Sequence, residues 1–314
     1  MSGPRPFRFG AAPYATTSAA EYFDTARRIE ALGYGTMQTA DHFNLRWFEP
    51  GPALLAAALA TSTLRVSCTV FDNDFRHPAL LAKEAASVDV LSGGRFEFGI
   101  GAGWFKPEYD QTGIRFEPPA VRVSRLEEAV QVIKGLWGDD PLTFSGRHYT
   151  ISGLAGAPRP VQRPHPPIYV GGGGKRLLSL AGREADIVGI NMQATPDGRV
   201  TGAGSDNATI AQRIAWVHKA AGERFDQLEL ALLVFNAVVT DSRAARVNAA
   251  EELAATLEIT PEQVLSAPYY MIGSVDQMVE DLIELRQRHG ISYISVFGRD
   301  MEAFAPVVAR LAGR

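Results

Sequence analysis

The chain has 314 residues, 46% of them hydrophobic and 21% charged, and a net charge of −4. This is the make-up of a globular protein long enough to bury a large core without staples. It gives no support to nucleic-acid binding, no basic run marks an anionic membrane surface, and the single cysteine, Cys68, rules out an intrachain disulfide framework and a cysteine-rich metal site.

Short β-rich runs recur along the chain, most of them followed by a helical pattern. Residues 7–11 lead to 18–32, where Tyr22, Ala26, Ile29 and Leu32 share one helical face and Gly33 ends it. Residues 35–40 lead to 51–61, and 64–70 lead to 78–91 with Pro78 at a first helical position. The run 95–100 leads, after a loop, to 120–137. Then 167–170 leads to 175–182, 185–190 to 207–221, and 228–235 to 242–257. A helix at 274–289 precedes a last strand at 291–297, and 301–311 is helical again.

Eight strands alternating with helices imply a parallel sheet, because parallel strands need crossover connections. Within this length the pattern fits an α/β fold of the TIM-barrel, (β/α)8 type better than the runner-up, a doubly wound open sheet. A length prior suggests two domains, but barrels of this size are routinely one, so a single domain over 1–314 is expected. Four stretches exceed ordinary loop length: 101–119, 138–166, 192–206, and 260–273 with its APYYMIG run. Long irregular segments in a compact domain are usually functional or mobile. No apolar run approaches a membrane span, and the start MSGPRPFRFG lacks a signal peptide's apolar stretch, so a cytoplasmic protein is expected.

Barrel chemistry sits at the C-terminal ends of the strands. The expected ends are Pro13 and Tyr14; Asp41 and His42; Cys68, Thr69 and Phe71; Gly101, Gly103 and Trp104; the glycines 171–174; Asn191; Phe235 and Asn236; and Phe297. The run GGGG followed by KRLL lets backbone approach a ligand closely and opens a helix, a combination suited to phosphate. Lys175 and Arg176 in that first turn oppose the helix dipole unless an anion is present. Against this, phosphate sites in barrels usually follow strands 7 and 8, and a flexible turn with solvated cations is the plain alternative. Asp41-His42 reads either as an acid–base pair or as a hydrogen-bonded pair that orders the loop. Trp47, Phe71 and Trp104, with Phe43 and Phe105, either wall a pocket for a planar ring or cap the core. His77 before Pro78 reads as structural, Cys68 as buried and inert, and the remaining histidines do not cluster, so no metal site is expected.

In order, TADHFN, RVSCTVFDNDFRHPALLAKEAASVDVLSGGR, FEFGIGAGWFKPEY and PIYVGGGGKRLLSLAGREADIVG resemble the luciferase-like monooxygenase superfamily. The likeness is closest to its deazaflavin branch, which uses coenzyme F-420. The resemblance implies a barrel with three or four insertions, usually a homodimer. It implies a deazaflavin or flavin mononucleotide (FMN) ring over the mouth and a phosphate near strand 5. It implies a non-proline cis peptide between Cys68 and Thr69, bulging toward the ring so that the backbone of these two residues contacts the cofactor. Asp41 matches an aspartate that bonds the deazaflavin, and His42 an active-site histidine that faces substrate or stabilises charge at the reduced ring. Ala102 and Gly103 match a backbone contact to the cofactor. Gly173, Gly174, Arg176 and Leu177 match the phosphate cradle, with Lys175 and Arg76 as further cations for the cofactor's tail. Trp104 stands where sugar-phosphate dehydrogenases of this group carry a glutamate, which argues for an apolar wall and against glucose 6-phosphate. The implied activity is hydride transfer between F-420 and a small organic substrate. The alternatives are an FMN-dependent monooxygenase using oxygen, and a flavin-binding protein without catalysis.

Overall fold

The computed structural model describes residues 4–43, 47–192, 195, 197, 199 and 201–314. Asn44 of TADHFN and part of the 192–206 segment therefore lie outside the described residues. Among these residues eight parallel strands form the barrel: β1 (Arg8–Ala12), β2 (Thr36–Thr39), β3 (Arg65–Cys68), β4 (Phe96–Gly101), β5 (Ile168–Gly172), β6 (Ile187–Ile190), β7 (Glu229–Val234) and β8 (Ile291–Phe297). Each pairs with its sequence neighbours, β1 pairs with β8, and the β3–β4 contact completes the ring through Val66 opposite Phe96. The helices are α1 (Ala19–Ala31), α2 (Pro50–Ala60), α3 (Pro78–Leu91), α4 (Lys106–Thr112), α5 (Pro119–Trp137), α6 (Lys175–Glu184), α7 (Asn207–Ala221), α8 (Arg243–Leu257), α9 (Pro261–Ser266), α10 (Val275–His289) and α11 (Met301–Leu311). No described helix is long and apolar enough to cross a membrane.

Local sequence explains the helix ends. The Ser18 hydroxyl caps α1 by accepting from the Glu21 N–H, and α1 buries Tyr22, Ala26 and Ile29. Ser274 and Gln277 form a reciprocal capping box at α10, whose far end is closed by Gly290 at φ 72°. His77 is structural, as expected: its Nδ1 accepts from the Ala79 N–H at 3.2 Å and Pro78 opens α3.

The apolar core lies between the strands and the helices, while the barrel floor is ionic. Glu97, almost wholly buried, is flanked by Arg8 and by Arg65, whose Nε lies 2.7 Å from it. Arg8 also binds Glu229 at 2.6 Å and lies over the Tyr293 ring, 3.9 Å from its centroid. Gln38 donates to the Tyr293 hydroxyl at 3.0 Å. A buried carboxylate is tolerable only with such partners. These groups come from five strands, β1, β2, β3, β7 and β8, and meet Glu97 of β4.

The insertions hold structure that periodicity did not reveal. The 138–166 segment folds as the hairpin Leu142–Ser145 with Thr150–Leu154, its turn held by Glu128, which accepts from the Arg147 and His148 N–H groups at 2.8 Å each. The 260–273 segment contains α9 and the strand Tyr270–Gly273, which pairs in parallel with Asn236–Val239.

The end of β3 corrects three expectations. The non-proline cis peptide lies between Thr69 and Val70, one bond later than expected. After it comes a short strand, Phe71–Asp72, that pairs with the end of β4. Strand alternation sends Phe71 into the core, stacked on Phe98 at 5.9 Å, so it does not line a pocket. Cys68 is fully buried within β3, opposite Thr39, and its thiol is pushed up by burial. It packs inside the strand and does not reach the cavity. The approach of β4 to this bend is very close: a Cβ on Gly99 would fall on the Cys68 carbonyl oxygen. Because the obstacle is backbone, Gly99→Ala is expected to lower unfolding free energy by about 2–3 kcal/mol, read from urea unfolding; an unchanged midpoint would contradict the close approach.

Candidate active site at the barrel mouth

The C-terminal ends of the strands enclose a cavity of about 480 Å³. The structure brings Asp41, His42, Trp47, Thr69, Ala102, Gly103, Trp104, Gly173 and Leu177 to its walls. Gly174 and Arg176 sit beside it at the start of α6. Residues the sequence reading did not single out also line it, notably Gln38, Asp72, Glu108, Tyr169 and Ser295.

His42 leaves β2 and meets α4. Its Nδ1 lies 2.9 Å from Oε2 of Glu108, whose side chain is 1% exposed. The Trp104 and Phe105 rings stand edge-on to the imidazole at 5.8 and 6.1 Å. Trp104 thus lines the cavity beside His42. WFKPEY carries no helical period of its own, and only the helix α4 that forms there places Glu108 one turn past Trp104.

Asp41 accepts from the Asp72 N–H at 3.0 Å and pairs with Arg76. Arg76 also binds Glu49 at 2.8 Å and lies 3.6 Å from Glu84. With three carboxylates around it, Arg76 holds the rim of the barrel together and is not a spare cation for a ligand's tail, which corrects that expectation. Burial pushes the Glu84 carboxyl up to about 7 despite Arg76.

The same short helix positions a second acid. Tyr109, next to Glu108, donates its hydroxyl to Oδ2 of Asp72 at 2.7 Å, and the Asp74 N–H reaches Oδ1 at 2.9 Å. Gly103 is at φ 70°, and a Cβ there would strike both the Tyr109 hydroxyl and the Asp72 carboxylate. Only glycine fits. Arg122 pins this turn by donating to the carbonyls of Ala102, at 2.8 Å, and Gly103.

None of the glycines 171–174 has positive φ, so their role is space. A Cβ on Gly172 would meet Leu177, and one on Gly171 the Asn191 amide, whereas Gly174 faces open space. Gly174 caps α6 without any side-chain bond, so the N–H groups of the first turn have no side-chain acceptor from the cap. Arg176 donates to the Ala120 carbonyl at 2.7 Å, tying α6 to α5, and Lys175 is exposed.

Burial pushes the Asp72 carboxyl up to about 7, outweighing the Tyr109 and Asp74 hydrogen bonds that favour the charge. The folded protein therefore binds this proton more tightly than the unfolded chain does. The stability it contributes is complete below the ordinary value of 3.8 and is lost as pH rises toward about 7. Asp72→Asn keeps a partner for Tyr109 and removes the titration. Melting temperatures measured at the two ends of that window are expected to fall less in the variant than in the parent; an equal fall would contradict the raised value.

A family model described as luciferase-like monooxygenase matches residues 5–292. The FMNH2-dependent dimethylsulfone monooxygenase of Pseudomonas putida is 36% identical over 134 residues, 43% of this chain and 36% of that protein. The F420-dependent glucose-6-phosphate dehydrogenase of Kineococcus radiotolerans (strain ATCC BAA-149 / DSM 14245 / SRS30216) is 33% identical over 170 residues, 52% of this chain and 50% of that protein. The matched region spans half or less of these curated relatives. Among solved structures, an F420-dependent secondary alcohol dehydrogenase in complex with an F420–acetone adduct superposes with a TM-score of 0.74 at 21% identity, over 96% of this chain and 97% of that one, a likeness of fold. With most of its length matched by the family model and its closed barrel in place, the chain belongs to the luciferase-like monooxygenase family.

Proposed function

We propose that the chain is an oxidoreductase that passes a hydride between deazaflavin coenzyme F-420 and a small organic substrate. The observation that carries this reading is the mouth cavity, where His42 with its buried carboxylate partner, the Trp47 and Trp104 walls and the glycine turn at α6 meet in one space. The residues fit such a group: open space at Gly174 and an uncapped helix start suit a phosphate, with Lys175 exposed beside it. Gly173, Gly174 and Leu177 would hold the phosphate, Ala102, Gly103 and Thr69 would face the ring, and Asp41 would lie at its edge. When bound, the deazaflavin supplies the hydride chemistry, and the protein binds, orients and excludes water. His42 is the side chain placed to take or give a proton at the substrate. Trp104 and Phe105 shield that position from solvent.

A second reading, an FMN-dependent monooxygenase, is favoured by the match to the dimethylsulfone enzyme, and the cavity does not discriminate between the two rings. The homodimer implied by the family resemblance is a proposal of the same standing. Light scattering at micromolar concentration checks it, and a monomer alone would remove it.

Titration of the purified protein with oxidised F-420 and, separately, with FMN, followed by cofactor fluorescence, separates the readings. Micromolar or tighter binding of F-420 alone is the expected result. Preference for FMN, with oxygen uptake on adding the reduced flavin, would replace it with the monooxygenase. Once a substrate is found by screening, His42→Ala is expected to lower turnover by about 100-fold or more while binding is retained. An unchanged rate would mean that His42 has no catalytic part.

A further inference from the structure

His42 presents two nitrogens that the fold treats differently. Nδ1 faces the Glu108 carboxylate at 2.9 Å, and Nε2 has no protein partner among the described residues. His42 lines the cavity with its side chain 13% exposed, while Glu108 is 1% exposed. We propose that Glu108 is the positioning residue of this site: its buried carboxylate holds the neutral His42 ring with the proton on Nδ1, leaving the lone pair of Nε2 for a molecule in the cavity.

The chemistry of the pair supports this. An ionised carboxylate only accepts hydrogen bonds, and a neutral imidazole carries one N–H, so a ring that satisfies Glu108 must bring its proton to Nδ1. The Trp104 and Phe105 rings, edge-on to the imidazole, restrict the remaining motion.

The position of Glu108 is itself fixed. Its backbone carbonyl accepts from the Thr112 hydroxyl at 2.7 Å, and its neighbour Tyr109 is bonded to Asp72. The helix α4 is thus attached to the mouth at consecutive residues, one reaching the end of β2 and the other the turn after β3. A base oriented by a third group is the arrangement that makes a histidine effective at one nitrogen.

The inference rests on the reading of His42 as the proton-handling group, but its test needs no cofactor. Protein labelled with 15N in histidine side chains is examined at about pH 8.5, above the histidine range, by long-range proton–nitrogen correlation. The His42 ring is assigned by its loss in His42→Asn. The expected ring has a protonated Nδ1 and a bare Nε2. In Glu108→Gln, whose amide satisfies either tautomer, the form protonated on Nε2 is expected to grow, which a mere structural tie between α4 and β2 would not require. A parent ring protonated on Nε2, or on both nitrogens, overturns the proposal even if F-420 binds. The same tautomer mixture in a folded Glu108→Gln overturns it too. If that variant does not fold, the parent spectrum alone decides. Failure of F-420 to bind would overturn the proposed function and leave this result standing.

Discussion

The geometry of the mouth depends on one close contact, the seating of β4 against the bend that follows β3. Gly99 lies so near the Cys68 carbonyl that no side chain fits between them. A Cβ on Gly101 would likewise run into Val70. That approach lets β4 pair with β3 below and with Phe71–Asp72 above, closing the ring and turning Asp72 inward. The Gly103 turn and α4 then follow from where β4 ends.

From there the site is held by side chains that reach across elements. Tyr109 on α4 bonds Asp72 after β3, Glu108 on α4 bonds His42 after β2, and Arg122 on α5 holds the carbonyls of the turn between them. Asp41 receives the Asp72 N–H and the Arg76 guanidinium. These contacts join the ends of three neighbouring strands into one polar wall. The other strand ends contribute glycine backbone and the Phe235 and Phe297 rings, with Asn191 and Ser295 among them.

Not every carboxylate is met in the same way. At the floor Glu97 has Arg8 and Arg65 and the half-buried Glu229 has Arg8, and at the mouth Asp41 has Arg76. At the mouth Asp72 is bonded to a phenol and a backbone N–H, so burial dominates and its carboxyl moves up to about 7. Asp72 therefore holds its proton to higher pH than an ordinary carboxylate.

Much of this was legible in the chain itself. The alternation of β-rich and helical runs determined the barrel, and α3, α7, α11 and β8 run where the pattern placed them, because amphipathic period and end residues are local properties. Asp41, His42, Trp104 and the glycine turn were legible because strand ends in a barrel point to the same place. The partners were not. Whether Arg76 met a ligand or three carboxylates, whether Phe71 faced the cavity or the core, where the cis bond fell, and which acid reached His42 were decided only by tertiary structure. Each depends on one side chain's direction after a bend, or on contact between residues far apart in sequence, such as His42 and Glu108, and no periodicity along the chain encodes that distance.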